Sequence, residues 1–169
     1  MKKFLLVAMS LLMVVSLVLS GCAGDPALKF GTAVYVSALT VTDATEDKDG
    51  SGKIDVTVAA VTVDANGKIV ACALDTSSNT VNFTAAGQAV AANEFKTKGE
   101  MGNDYNMVAY GGAKKEWFEQ AAAFDAACVG KTASEIAGLM GNDGKGVADL
   151  QTAGCTIFVS GFVKAASKI

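Results

Sequence analysis

The stretch EDKDGSGKID, Glu46 to Asp55, sets acidic and hydroxyl side chains at alternate positions around a glycine, as a calcium loop does. Asp47, Asp49 and Ser51 fill the first, third and fifth ligand positions, Gly52 the sixth and Asp55 the ninth. The twelfth position, where the template has a bidentate Glu, holds Val58. The flanks VYVSALTVT and IDVTVAAVTV are β-branched and favour strands, whereas a calcium hand is flanked by helices. The stretch is therefore expected to be an acidic, Gly-rich hairpin tip.

A second candidate, VGKT from Val129 to Thr132, suggests a phosphate loop. That template needs a glycine at position 125, where Asp125 stands, and a preceding strand, where the pattern here is helical. Lys131 reads instead as a cation near a helix end. The chain has no His, and its 14 basic residues are all Lys. Ser-His-Asp and Cys-His catalysis, His-based metal sites and arginine fingers are thereby excluded. Any redox or group chemistry is expected to come from a cofactor. Beyond Cys22 the cysteines are Cys72, Cys128 and Cys155, with no Cys-x-x-Cys pair, so at most one intramolecular disulfide is available. Cys72 and Cys128 read as small buried apolar residues. A thiol redox function would need Cys128 beside Cys155.

The elements that must position such residues begin after a leader. MKKFLLVAMSLLMVVSLVLSGC has a basic start and an apolar run from Phe4 to Leu19, the form of a secretory signal. LSGC, Leu19 to Cys22, resembles the lipobox of bacterial lipoproteins, which implies cleavage before Cys22, lipid on its thiol and often an acyl chain such as palmitate on its amine. Residues 1–21 are then the signal peptide, 22–30 the lipidated Cys and tether, and 31–169 one domain held on the extracytoplasmic face of the cell membrane. Loss of Lys2 and Lys3 with the leader takes the formal charge from −3 to −5, since no acidic residue precedes Cys22. So acidic a domain is a poor partner for nucleic acid.

The first half of the domain is strand-like. GTAVYVSALTVT alternates around Tyr35, Leu39 and Val41, and KIDVTVAAVTV around Ile54, Val56 and Val58. The turn DANGK, the strand IVACALD and a further short strand TVNFT complete a meander. EFKTKGEMGNDYNMVAYGGA has no periodicity, yet Tyr105, Met107 and Tyr110 mark it as an ordered loop. KKEWFEQAAAFDAACVG is a helix with Trp117, Ala121, Phe124 and Cys128 on one face and Gly130 as its stop. Thr132-x-x-Glu135 is a capping box opening a segment that runs to Leu139. A turn at GNDGKG, a strand CTIFV and a terminal helix in SGFVKAASKI, with Ser160 as its cap, finish the chain. Strands first and helices later predict an α+β fold, an antiparallel sheet of the N-terminal meander plus a C-terminal strand with helices packed on one face.

DLQTAGCTI, Asp149 to Ile157, is small and hydroxyl-rich and stands before the last strand, with Gly154 allowing close approach of a ligand to the backbone. The series VTVDANGKI, FKTKGEMGNDYNM, KEWFEQAAAF, VGKTASEI and ADLQTAGCTI behind a lipobox resembles the FMN-binding-domain lipoproteins of bacteria. These are similar to the flavin subunits of sodium-pumping and ferredoxin-linked respiratory complexes and to lipoproteins of extracellular electron transfer. The resemblance implies FMN attached through a phosphodiester to a Thr or Ser hydroxyl by a separate magnesium-dependent flavin transferase. Carried onto this chain, Asp149 matches the family's Asp, Thr152 its Ser/Thr and Thr156 the acceptor, in a segment one residue longer than the family pattern. The resemblance further implies a membrane electron donor, a phosphate held by backbone N–H groups around Gly154 and Cys155, and an isoalloxazine ring packed by Tyr105 and Met107. Trp117 belongs to the core on its helical spacing. A flavin-free binding or structural lipoprotein on the same fold is the alternative.

Overall fold

The computed structural model describes residues 27–90 and 95–169; the leader and Cys22 lie outside the described residues. Three antiparallel strands in chain order, β1 (Lys29–Thr42), β2 (Gly50–Val63) and β3 (Ile69–Phe83), form the sheet. Lys29 and Phe30, assigned to the tether from sequence, are already strand. The first hairpin turns through residues 43–49, where Thr45 bridges Lys48, so a tip forms where EDKDGSGKID placed it. The tip is shorter than the motif, because Ser51, Gly52 and Asp55 are paired inside β2.

The second hairpin turns at Asp64–Lys68. The Asp64 carboxylate accepts the N–H groups of Lys68 at 2.8 Å and Asn66 at 2.9 Å, and the Lys68 contact above all holds this carboxyl below its ordinary range. Gly67 completes the turn at φ +74°, a left-handed conformation open to glycine at no steric cost. The strands foreseen separately in IVACALD and TVNFT are one. β2 runs unbroken opposite the polar middle of β3, pairing Thr57 with Thr76 and Asp55 with Ser78. The two threonine hydroxyls also bond to each other at 3.0 Å in a buried contact.

Helices follow: α1 (Lys98–Met101) running into a 3-10 turn (Gly102–Tyr105), α2 (Trp117–Cys128), α3 (Ala133–Ile136) with a 3-10 turn (Ala137–Leu139), α4 (Ala148–Thr152) and α5 (Ser160–Ala166). The long segment expected as a loop thus contains a helical turn, opened by a capping box in which the Glu100 carboxylate accepts the Thr97 N–H at 2.8 Å and the Thr97 hydroxyl accepts the Glu100 N–H at 3.1 Å. α2 buries Trp117, Ala121, Phe124 and Cys128 on one face and stops at Gly130, whose φ is +81°. At α3 the Glu135 carboxylate accepts the Thr132 N–H at 2.7 Å, the capping box read from sequence. Ser160 is the first helical residue of α5 and does not cap it; Val159 holds that position. Segment CTIFV makes one isolated antiparallel bridge, from Phe158 to Lys145, outside the three strands of the sheet.

The fold is α+β, an antiparallel sheet with its helices on one face. Phe162 of α5 lies between the rings of Trp117 (5.7 Å, 86°) and Phe124 (5.3 Å, 69°), both edge-to-face. Burial of each such large side chain contributes about 1.5–3 kcal/mol. On β2 the inward residues are Thr57, Ala59 and Val61. The valine-rich set marked from alternation points the other way, with Ile54 and Val58, like Val34 and Val36 on β1, between 42% and 56% exposed. Close packing accounts for the choice, because a Cβ on Gly161 of α5 would stand 3.1 Å from Thr57 Oγ1, leaving no room there for a larger inward side chain. The sheet's inner face therefore has a small and polar stretch, and that stretch becomes the floor of a cleft.

Candidate functional site

A cleft of about 850 Å³ opens between the sheet and the helices. Its floor is Tyr35 and Ser37 of β1, Asp55 and Thr57 of β2 and Thr76 of β3. Lys98, Tyr105 and Met107 form one wall, Trp117 and Gln120 of α2 line it as well, and Lys145 with Thr156, Ile157 and Phe158 closes the remaining side. The volume lies within the range of pockets that take a cofactor-sized ligand. The chemistry of its lining is aromatic rings, hydroxyls and two lysines, with one carboxylate on the floor.

Hydrogen bonds from α2 position the walls. Gln120 is almost wholly buried, at 1% exposure, and its Oε1 accepts both the N–H of Thr156 at 2.9 Å and the Thr156 hydroxyl at 3.1 Å. The other end of the amide, Nε2, donates to Lys115 O at 3.0 Å, so both ends of Gln120 are engaged and its orientation is set. The buried Glu116, just before α2, accepts the N–H of Met107 at 2.8 Å through Oε2 and that of Val108 at 3.1 Å through Oε1. Its own N–H donates to Glu119 at 2.8 Å, so the start of α2 and the loop bearing Met107 are tied together. Asn106 makes the bend before Met107 at φ 59°, a left-handed conformation that Asn tolerates. Lys98 Nζ stands 5.2 Å from the Tyr105 ring centre and 5.7 Å from that of Trp117, and Lys145 Nζ stands 5.7 Å from that of Phe158.

Of the residues singled out from sequence, Thr156, Tyr105 and Met107 come together in the cleft lining, and Trp117 combines a cleft edge with a core position. Asp149, Thr152, Gly154 and Cys155 lie outside that lining. Asp149 and Thr152 are exposed on α4, a helix where the sequence suggested a turn, and the Thr152 hydroxyl donates to Ala148 O at 2.9 Å. The backbone nest expected around Gly154 and Cys155 does not form. Gly154 N–H donates to Gln151 O at 3.0 Å and Cys155 N–H to Leu150 O at 3.1 Å, so both donors close the end of α4 and neither faces a ligand. Cations that would meet a phosphate are instead lysine side chains, Lys98 and Lys145.

The cysteines among the described residues are free thiols, Cys72 half-buried and Cys128 and Cys155 buried. The sulfur that Cys128 meets is that of Cys72, and this contact, together with burial, pushes the Cys72 thiol far above its ordinary value. Burial pushes Cys155 up to about 11. A thiol held protonated as Cys155 is makes a poor nucleophile, and the sulfur beside Cys128 is that of Cys72. Asp125, on α2 away from the cleft lining, is pushed up to about 7 by burial, partly offset by the Leu74 N–H and the Cys72 thiol.

Gln120, Lys98, Lys145 and Phe158 escaped the sequence reading, as each belongs to a stretch of ordinary composition and only the fold brings them to one cavity. Asp55 was noticed there for a different reason, as the ninth position of a calcium-like loop. No family model matches the chain, and neither the curated proteins nor the solved structures yield a match.

Proposed function

We propose that this chain is a lipid-anchored extracytoplasmic lipoprotein whose cleft holds FMN, and that it accepts and passes electrons without transforming a substrate of its own. The observation that carries the proposal is that Thr156, Tyr105 and Met107, drawn from segments up to 51 positions apart, line one cleft of about 850 Å³. The residues present fit the group. Rings of Tyr35, Tyr105 and Phe158 offer flat apolar surface to an isoalloxazine, Lys98 and Lys145 offer cations to a phosphate, and the buried Oδ1 of Asp55 is an acceptor without a donor among the described residues. When bound, FMN supplies one- and two-electron transfer.

The protein's own part is placement. The hydroxyl of Thr156 donates to Gln120 Oε1, which fixes its direction, and Thr156 is the residue proposed to carry the phosphodiester; the separate flavin transferase would take up the hydroxyl proton and release the nucleoside monophosphate split from a flavin dinucleotide. Met107 and its neighbour Val108 are held at the cleft wall by Glu116. Lipid on Cys22 would keep the domain beside a membrane electron donor. One observation favours non-covalent FMN or the flavin-free binding module as a second reading: the N–H groups of Gly154 and Cys155 are spent inside the chain.

The test is a visible absorption spectrum of the full-length chain produced with and without a flavin transferase, taken before and after denaturing precipitation. Yellow colour that stays with the denatured wild type and disappears in Thr156→Val supports covalent FMN on Thr156. Colour released on denaturation supports the non-covalent form. A colourless protein under every condition rejects the electron-carrier proposal in favour of the flavin-free module.

A further inference from the structure

The inner face of β2 carries a carboxylate, Asp55, set in register between Ser37 of β1 and Ser78 of β3. Asp55 lines the cleft, and its Oδ1 is buried with no hydrogen-bond partner among the described residues. Such an oxygen is costly, since a buried acceptor left unmade forfeits its hydration and gains nothing in return. The neighbours do not answer it. The Thr57 hydroxyl, the next inward side chain on β2, is engaged with Thr76 at 3.0 Å. Lys98 lies over Tyr105 and Trp117, and Lys145 over Phe158. Asp55 therefore brings to the cleft floor a carboxylate whose Oδ1 has no partner among the described residues, and a donor carried by a ligand would meet that carboxylate there.

The charge pattern gives that ligand a polarity. Thr156 and Lys145, which is bridged to Phe158 two positions beyond Thr156, stand on the helix-side wall, while Asp55 stands on the sheet floor. An anionic end is drawn to the lysine wall and repelled from the carboxylate, so the end that reaches Asp55 is an N–H or O–H donor, a neutral one where the ligand is a flavin. We propose that Asp55 is the ligand-selecting residue of this cleft, accepting the imide N–H of a planar heteroaromatic ring. The inference rests on the FMN proposal, in which that donor is N3–H at the pyrimidine edge of the isoalloxazine.

The test uses the full-length chain, produced without flavin and held in detergent, titrated with FMN and with N3-methyl FMN by quenching of flavin fluorescence. Wild type is expected to bind FMN at least about tenfold more tightly than the methylated analogue, the loss typical of a charge-assisted hydrogen bond. Asp55→Leu is expected to bind both flavins equally and more weakly than wild type binds FMN. Asp55→Asn, which keeps an acceptor oxygen, retains part of the discrimination. Folding is checked in the same samples, and Asp55→Leu should melt no lower than wild type, because it removes a carboxylate whose buried Oδ1 has no partner among the described residues. Equal affinity of wild type for the two flavins, the result if a ribityl hydroxyl were the donor, overturns the inference, as does discrimination that survives in Asp55→Leu. A wild-type chain that binds neither flavin overturns this inference, and the FMN proposal falls with it only if the chain also stays colourless after production with a flavin transferase.

Discussion

Gln120 and Thr156, 36 positions apart, are joined by two hydrogen bonds to a single oxygen, at 2.9 Å from the Thr156 N–H and 3.1 Å from its hydroxyl. One buried amide on α2 thereby sets both the backbone and the side chain of the residue proposed to carry the cofactor. Replacing Gln120 with Leu leaves the Thr156 N–H and Lys115 O without these partners, and the expected cost is about 1–3 kcal/mol. Urea denaturation measures it. Flavin incorporation by Gln120→Leu is also expected to slow relative to wild type at a temperature where both are folded.

Glu116 holds the cleft's mobile-looking wall by charge. Both its oxygens accept backbone N–H groups, from Met107 and Val108, while its own backbone starts α2. Glu116→Gln keeps one acceptor oxygen and turns the other position into a donor facing an N–H. The expected outcome is a loss of about 1.5–3 kcal/mol. Hydrogen exchange at the Met107 and Val108 amides should rise before the rest of the domain opens, and uniform exchange across the chain would contradict this account.

Asp125 makes stability depend on pH. Burial raises its carboxyl from 3.8 to about 7 in the folded state. Below the unfolded value both states hold the proton, and between the two values only the folded state does. Stability contributed by this group is therefore complete at low pH and is lost as pH rises through the folded value, with a slope of up to about 1.4 kcal/mol per pH unit. Asp125→Asn should flatten that slope. Denaturation midpoints at about pH 5 and about pH 8 for both proteins decide it, and identical slopes would sink the assignment.

Gly154 combines two constraints. Its φ is +107°, and a Cβ there would run into the Lys115 side chain, which donates to Ala153 O at 3.1 Å. Gly154→Ala is expected to cost roughly 1–3 kcal/mol. Adding Lys115→Ala removes the collision and leaves the backbone strain, so the double variant should recover only part of the loss. Full recovery in thermal melts would assign the effect to side-chain crowding alone.

The local elements were legible because their signals are local. Trp117, Ala121, Phe124 and Cys128 repeat at helical spacing and are the buried face of α2; Thr132 with Glu135 and Gly130 mark helix ends through bonds made within a few residues. Asn66-Gly67 marks a hairpin for the same reason. Strand facing was a different matter. Val and Ile at alternate positions of β2 invited burial, yet Ile54 and Val58 face away from the helices, since the register across three strands and the contact of Gly161 with Thr57 choose the inward set.

By itself, the sequence determined the α+β class, the run of strands before helices, the exclusion of His- and Arg-dependent chemistry, and the presence of Tyr105, Met107 and Thr156 as residues of interest. Tertiary structure alone decided that these three share a cleft with Lys98, Lys145 and Asp55, and that the N–H groups of Gly154 and Cys155 are committed to α4. The physical reason is range. Caps, turns and helical stripes are fixed by neighbours within a turn or a hairpin, whereas a cavity exists only where segments distant in the chain leave space between them, and whether a polar group there is free is settled by partners that no local pattern reveals.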